Sequence, residues 1–121
     1  MTEDHQISVE DHDSATLLSV VSERIDYMVV ARAKRIVSSA ANLAFQKSVI
    51  LDLAKVECVS SMVIGALIDL FRHCQKTGQR LFLVGLNDQV RGVVSNAGLD
   101  RFFEIREDPD AALRTLAQPG R

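Results

Sequence analysis

The chain has 121 residues, 47% of them hydrophobic and 25% charged, with a formal net charge of -2; this balance suits one globular domain that buries roughly two thirds of its unfolded surface. Scattered arginines and a slightly negative total give no basic field for nucleic acid or an anionic membrane. The 2 cysteines, Cys58 and Cys74, lack paired spacing, which argues against a disulfide framework or zinc site and for a reducing compartment.

The acidic, polar start (MTEDHQISVEDHDS) is unlike a signal peptide, and no run approaches the ~20 apolar residues of a membrane span. The expectation is a cytoplasmic protein without direct membrane insertion. No repeat or low-complexity linker divides it. We take residues 1–14 as an N-terminal segment able to add an edge strand, 15–117 as the domain and 118–121 as a tail.

Residues 15–21 (ATLLSVV) are β-branched and aliphatic and read as a strand. Residues 28–45 carry apolar positions three and four apart (Val29, Ala33, Ile36, Val37, Ala40, Ala44) and read as an amphipathic helix that Asp26 can cap. Residues 48–53 (SVILDL) form the short continuous apolar run of a central strand covered on both faces. A helix follows over 62–74, with Gly78 as its stop. Residues 80–85 are another buried strand, and 88–96 a brief helix ended by Gly98. Residues 102–105 are a last strand, and Asp108 with Pro109 opens a helix reaching about Ala117. Short strand–helix–strand connections require parallel pairing. The fold class is therefore α/β, a mixed sheet of four to five strands with about four helices.

In such sheets the functional crevice lies beyond the carboxyl ends of the parallel strands. The loop leaving the strand that holds Asp52 ends there, at Ser60 and Ser61. A serine before a helix is first a cap for the free N–H groups; the same position, where partial positive charge collects, also favours a phosphate.

The stretch Asp52-Leu53-Ala54-Lys55-Val56-Glu57-Cys58-Val59-Ser60-Ser61 resembles the signature of STAS domains, specifically of anti-sigma factor antagonists. That pattern runs Asp-Leu-Ser-x-Val-x-x-apolar-Asp-Ser-Ser/Thr-Gly-Leu. Asp52, Leu53, Val56, Val59 and Ser61 match it, and Ile64 is a conservative substitute. Val90, Val94, Ala97-Gly98-Leu99 and Phe103 resemble the family's later segment, and Arg24-Ile25-Asp26 its Glu-Leu-Asp before the first helix.

The resemblance implies a STAS-like single domain that works by regulated protein binding. Its partner would be an anti-sigma factor that is also a serine kinase, Ser61 would be the phosphorylated switch, and transcription would be the process controlled. The implied docking face comprises Asp26, Val59, Ser60, Ser61, Met62, Val63 and Ile64. Three departures stand out: Ser60 replaces the usual aspartate, and Met62 and Val63 replace Ser/Thr and Gly. Ser60 is thereby a second candidate acceptor. The departures also leave room for a non-catalytic STAS scaffold, self-assembled as a homodimer or larger array, or for a transporter accessory subunit.

A rival reading is a response-regulator receiver domain with Asp52 as phosphoacceptor and Glu10-Asp11 holding magnesium. It requires residues 15–21 to be helical. Enzymatic readings are weaker. No glycine flanks the serine pair, no phosphate loop occurs, and His5, His12 and His73 are not placed to activate Cys58 or Cys74. Neither catalysis nor a cofactor is expected.

Overall fold

The computed structural model describes residues 7–39 and 47–118. Five strands form one sheet in sequence order: β1 (Ile7–Asp11), β2 (Ala15–Val20), β3 (Ser48–Asp52), β4 (Leu81–Val84) and β5 (Glu104–Arg106). β1 runs antiparallel to β2 through a hairpin, and the remaining pairs are parallel. Parallel neighbours need a crossover, and each crossover is a helix: α1 (Tyr27–Val37), α2 (Ser61–Thr77) and α3 (Asp88–Asn96). The last helix, α4, spans Pro109–Ala117.

Alternation along the strands divides the core in two. Leu18, Val20, Val49, Leu51, Leu81 and Leu83 face α1, α2 and α3. Leu17, Ile50, Phe82 and Val84 point the other way, where α4 brings Ala112, Leu113 and Leu116. β3 lies at the centre with four of its five residues buried, which is why its sequence is an unbroken apolar run and not an alternating one.

Three expectations need correction. The last strand, read over 102–105, is Glu104–Arg106, because Phe102 and Phe103 close the turn after Leu99, their N–H groups donating to its carbonyl. The helix read over 28–45 ends at Val37, and residues 40–46 lie outside the described part of the chain. Ser38 competes for the backbone there: its hydroxyl donates to the Lys34 carbonyl at 2.7 Å and meets Nε2 of His73 at 2.9 Å, the local bonding that makes serine a poor helix interior residue. The receiver reading also fails, because residues 15–20 are strand β2 and not helix. β1 pairs antiparallel, so Asp11 sits opposite Thr16 while Asp52 sits opposite Ser19. Asp11 and Asp52 therefore lie at different ends of the sheet, about 10 Å apart along the strand axis, too far to share an ion.

Candidate functional site

The loop between β3 and α2 is fixed from below. Leu53 and Val56 are driven into the core, and their backbones are bonded: Leu53 N–H to the Val84 carbonyl at 2.9 Å and Val56 N–H to the Leu53 carbonyl at 3.0 Å. Asp52 Oδ1 accepts the Ala54 N–H at 3.0 Å, closing the turn. Gly85 backs that turn from β4 with φ +76, and a Cβ there would stand 2.9 Å from Asp52 Oδ1 and 3.0 Å from the Ala54 Cα. Only glycine takes both the backbone angle and the close approach without strain. The spacing of Asp52, Leu53 and Val56 thus follows from one half-buried turn-former and two core anchors.

The loop then runs beside the one that precedes α1. Arg24 and Cys58 form a parallel bridge, and the Glu57 N–H donates to the Glu23 carbonyl at 2.8 Å. From the far side, Asn87 Nδ2 donates to the carbonyls of Val56 and Glu57, each at 3.2 Å, while its Oδ1 accepts the Val90 N–H at 2.8 Å and caps α3. Sequence reasoning passed over Asn87. Its bonds reach residues 30 or more positions away, and nothing in the local pattern announces them.

Two helix starts are thereby set side by side. Asp26 caps α1, its carboxylate accepting the Val29 N–H at 3.0 Å. Ser60 caps α2, its Oγ accepting the Val63 N–H at 3.3 Å in extended backbone. The capping and switch roles that the sequence left overlapping therefore fall on different residues. Ser61, at the first helical position, is exposed, and its hydroxyl makes no hydrogen bond among the described residues.

Exposed apolar side chains stand at both helix starts. Met62 is 71% exposed, and Met28 and Tyr27 at the start of α1 are also large, exposed and hydrophobic; Val59 is half-buried against the core. Tyr27 and Met28 were not among the residues read from sequence as a docking face, though two large hydrophobic side chains just after a cap are a signal that could have included them. Val63 and Ile64 were included, and here the structure corrects the reading: they are 2% and 8% exposed. They belong to the stripe Val63, Ile64, Leu67, Leu70 and Cys74 that seats α2 on the sheet.

Cys74 lies in that stripe, and burial pushes its thiol pKa up to about 12, so it stays protonated and unreactive near neutral pH. His73 turns instead to α1. Because the Ser38 hydroxyl already donates to Lys34, the His73 ring nitrogen donates to Ser38. Among the described residues no group of three His, Cys, Asp or Glu side chains could hold a metal ion, and no helix is long and apolar enough to cross a membrane.

The family model for the STAS domain matches residues 6–112, a span that holds all five strands, the half-buried Asp-Leu-x-x-Val turn and the serine-capped start of α2. The chain belongs to the STAS domain family. No curated protein matches it in sequence. Among solved structures, it is similar to an anti-sigma factor antagonist from Mycobacterium paratuberculosis, with 28% identity, a TM-score of 0.72 and 93% of each chain covered. It shares 21% identity and a TM-score of 0.80 with a Thermotoga maritima protein provisionally assigned as an anti-sigma factor antagonist, covering 94% of this STAS domain chain and 97% of that one. The Bacillus cell fate determinant SpoIIAA, solved in a phosphorylated form, superposes with a TM-score of 0.66 at 16% identity, over 90% of this chain and 98% of that one.

Proposed function

We propose that this STAS domain is an anti-sigma factor antagonist, acting in the cytoplasm on a partner that is both an anti-sigma factor and a serine kinase. Binding, not catalysis, is its contribution. The docking face consists of Asp26, Tyr27, Met28, Val59, Ser60, Ser61 and Met62. The switch is phosphorylation of Ser61: the partner moves the γ-phosphoryl group of a nucleoside triphosphate onto Oγ, the diphosphate leaves, and the hydroxyl proton passes to a base of the partner.

The observation that carries this reading is the separation of roles at 60 and 61. Ser60 satisfies the helix start, leaving the Ser61 hydroxyl exposed and unbonded, so modification costs no structural bond. Phosphate there adds about -1.5 to -2 charge beside exposed thioethers. Docking an apolar partner would then require that charge to be stripped of water, which weakens binding. Ser60 is the poorer acceptor, because its Oγ is engaged with the Val63 N–H and must give up that bond before it can attack a phosphoryl group. Relatives support the reading to the extent that solved neighbours are anti-sigma factor antagonists and one of them has a phosphorylated form.

The test is intact-mass analysis of protein recovered from its native cells, followed by mapping of any added phosphate. One phosphoryl group on Ser61 is the expected result; phosphate confined to Ser60 or Asp52 would overturn the assignment. A scaffold role is the second reading, favoured by the bulk of exposed Met62 where the family pattern has a small residue. Light scattering separates them: a monomer or weak dimer fits the switch, a large homo-oligomer the scaffold.

A further inference from the structure

Away from the face around Ser61, the same helix α2 borders a cavity of about 330 Å³. Ile68 and Phe71 line it from α2, and Leu99, Phe102 and Phe103 from the segment after α3. Its floor is rigid. Leu99 and Phe103 are buried, and the Phe71 and Phe103 rings meet edge to face at 5.6 Å. The opposing segment is closed on itself: Gly98 turns with φ +76, the N–H groups of Phe102 and Phe103 both donate to the Leu99 carbonyl at 2.9 and 3.0 Å, and Ser95 bonds Asp100 at 3.2 Å. A wall bonded in this way is preformed, so a ligand does not have to order it.

Two features point to an occupant. Phe102 forms one wall, its ring 5.7 Å from that of Phe71, and it remains 51% exposed, so an apolar body seated against it would remove apolar surface from water. The single charge in the lining is Arg72. Its nearest acidic neighbour on the helix, Asp69, has its carboxylate bonded to Lys34 at 2.8 Å, and Arg72 makes no hydrogen bond or salt bridge among the described residues. Arg72 acts on Asp69 through its charge alone, so its N–H groups stay available, and an apolar slot with such a guanidinium at its edge complements a molecule with an apolar body and one negative end.

We propose that this cavity binds a small amphipathic monocarboxylate, with an aromatic or branched body of about ten to fifteen heavy atoms, a size suited to a cavity of a few hundred Å³. The body lies between Phe71, Phe102 and Leu99, and the carboxylate pairs with Arg72, with Gln75 one turn further on as a second donor. This site is independent of the Ser61 switch: neither needs the other to be correct.

The test uses the full chain, 15N-labelled, titrated with 4-phenylbutyrate and separately with its uncharged amide up to about 10 mM, since about a dozen heavy atoms at the modest per-atom efficiency of drug-sized ligands bind at roughly millimolar strength. Amide shifts confined to residues 97–103 and the 68–75 part of α2 are expected, with the acid binding about two- to fivefold more tightly than the amide, the range open to an exposed ion pair. R72Q, an exposed change that leaves the fold intact, should abolish that preference, and F102A should weaken both probes. Equal binding of acid and amide, or no shifts at all, would overturn the proposal. So would concentration-dependent broadening of the same signals without any ligand, which would mean that a second copy of the chain fills the slot.

Discussion

The starts of α1 and α2 share one device with the starts of α3 and α4 and then part from it. Asp26, Ser60, Asn87 and Asp108 each accept the backbone N–H three residues on, at 3.0, 3.3, 2.8 and 2.8 Å. Past the cap, α3 and α4 place an acid in the first turn, Asp88 and Asp110, where it meets the positive end of the helix dipole; α1 and α2 place none. They present Tyr27, Met28 and Met62 to water instead. An acid in the first turn is worth about 0.3–1 kcal/mol. Two helix starts forgo it and expose apolar side chains, and they are the two that the 22–26 and 56–60 segments hold adjacent. The difference separates the helix starts whose first turn favours stability from those that leave apolar side chains facing water, the part proposed as the docking face.

The sharpest way to break that division is to remove what holds the loop. Asn87→Ala deletes the α3 cap and both bonds to the 56 and 57 carbonyls, and should cost about 2 kcal/mol by urea unfolding. Amide exchange at 56–60 should quicken with it. Unchanged protection in that loop would reduce Asn87 to a cap and leave the docking loop held by its own anchors.

The two serines give the next largest contrast. Ser60→Ala should cost about 1 kcal/mol; Ser61→Ala should stay within about 0.5 kcal/mol of the parent, as an exposed residue without a bond. Equal losses would erase the assignment of cap and switch to different residues. Ser61→Glu sharpens the same point in the opposite direction. A carboxylate in the first turn of α2 should raise stability by about 0.3–1 kcal/mol, a gain of a few degrees in thermal midpoint, while binding to the partner falls. A variant that loses stability would show that repulsion from Asp26 or Glu57 outweighs the helix dipole.

How much of this was legible beforehand depended on the range of the interaction. Strand β3, the stop at Gly78 and the cap at Asp108 are local or periodic signals, and they stand where the sequence put them. The loop leaving the strand of Asp52 does so too, but its turn from Asp52 to Val56 and the two core anchors within it were not read from the pattern. The cap of α2 was harder: Ser60 and Ser61 have the same chemistry, and a shift of one residue in the helix start exchanges their roles. Val63 and Ile64 were readable as core from their spacing to Leu67 and Leu70, but the family motif drew them to the surface. The Asn87 bonds and the pairing of the two loops depend on chain segments brought together by the sheet, and no window of the sequence contains both partners.

The smallest expected effect concerns the joint between α1 and α2. Lys34 Nζ donates to Asp69 Oδ2 at 2.8 Å, and this bond, with the lysine charge, holds the Asp69 carboxyl below its ordinary 3.8. Since the folded value is the lower one, the stabilisation is present above the unfolded pKa, near 3.8, and fades as pH falls through the folded value. The Asp69 side chain is mostly exposed and that of Lys34 partly so, so water and salt screen the pair to a few tenths of a kcal/mol. Asp69→Asn should therefore cost that little at neutral pH, and nothing in about 1 M salt or at a pH below the folded pKa. A cost that survives both conditions cannot be coulombic; it would mean that the Asp69 side chain helps to set the angle between α1 and α2, and with it the alignment of the two exposed helix starts.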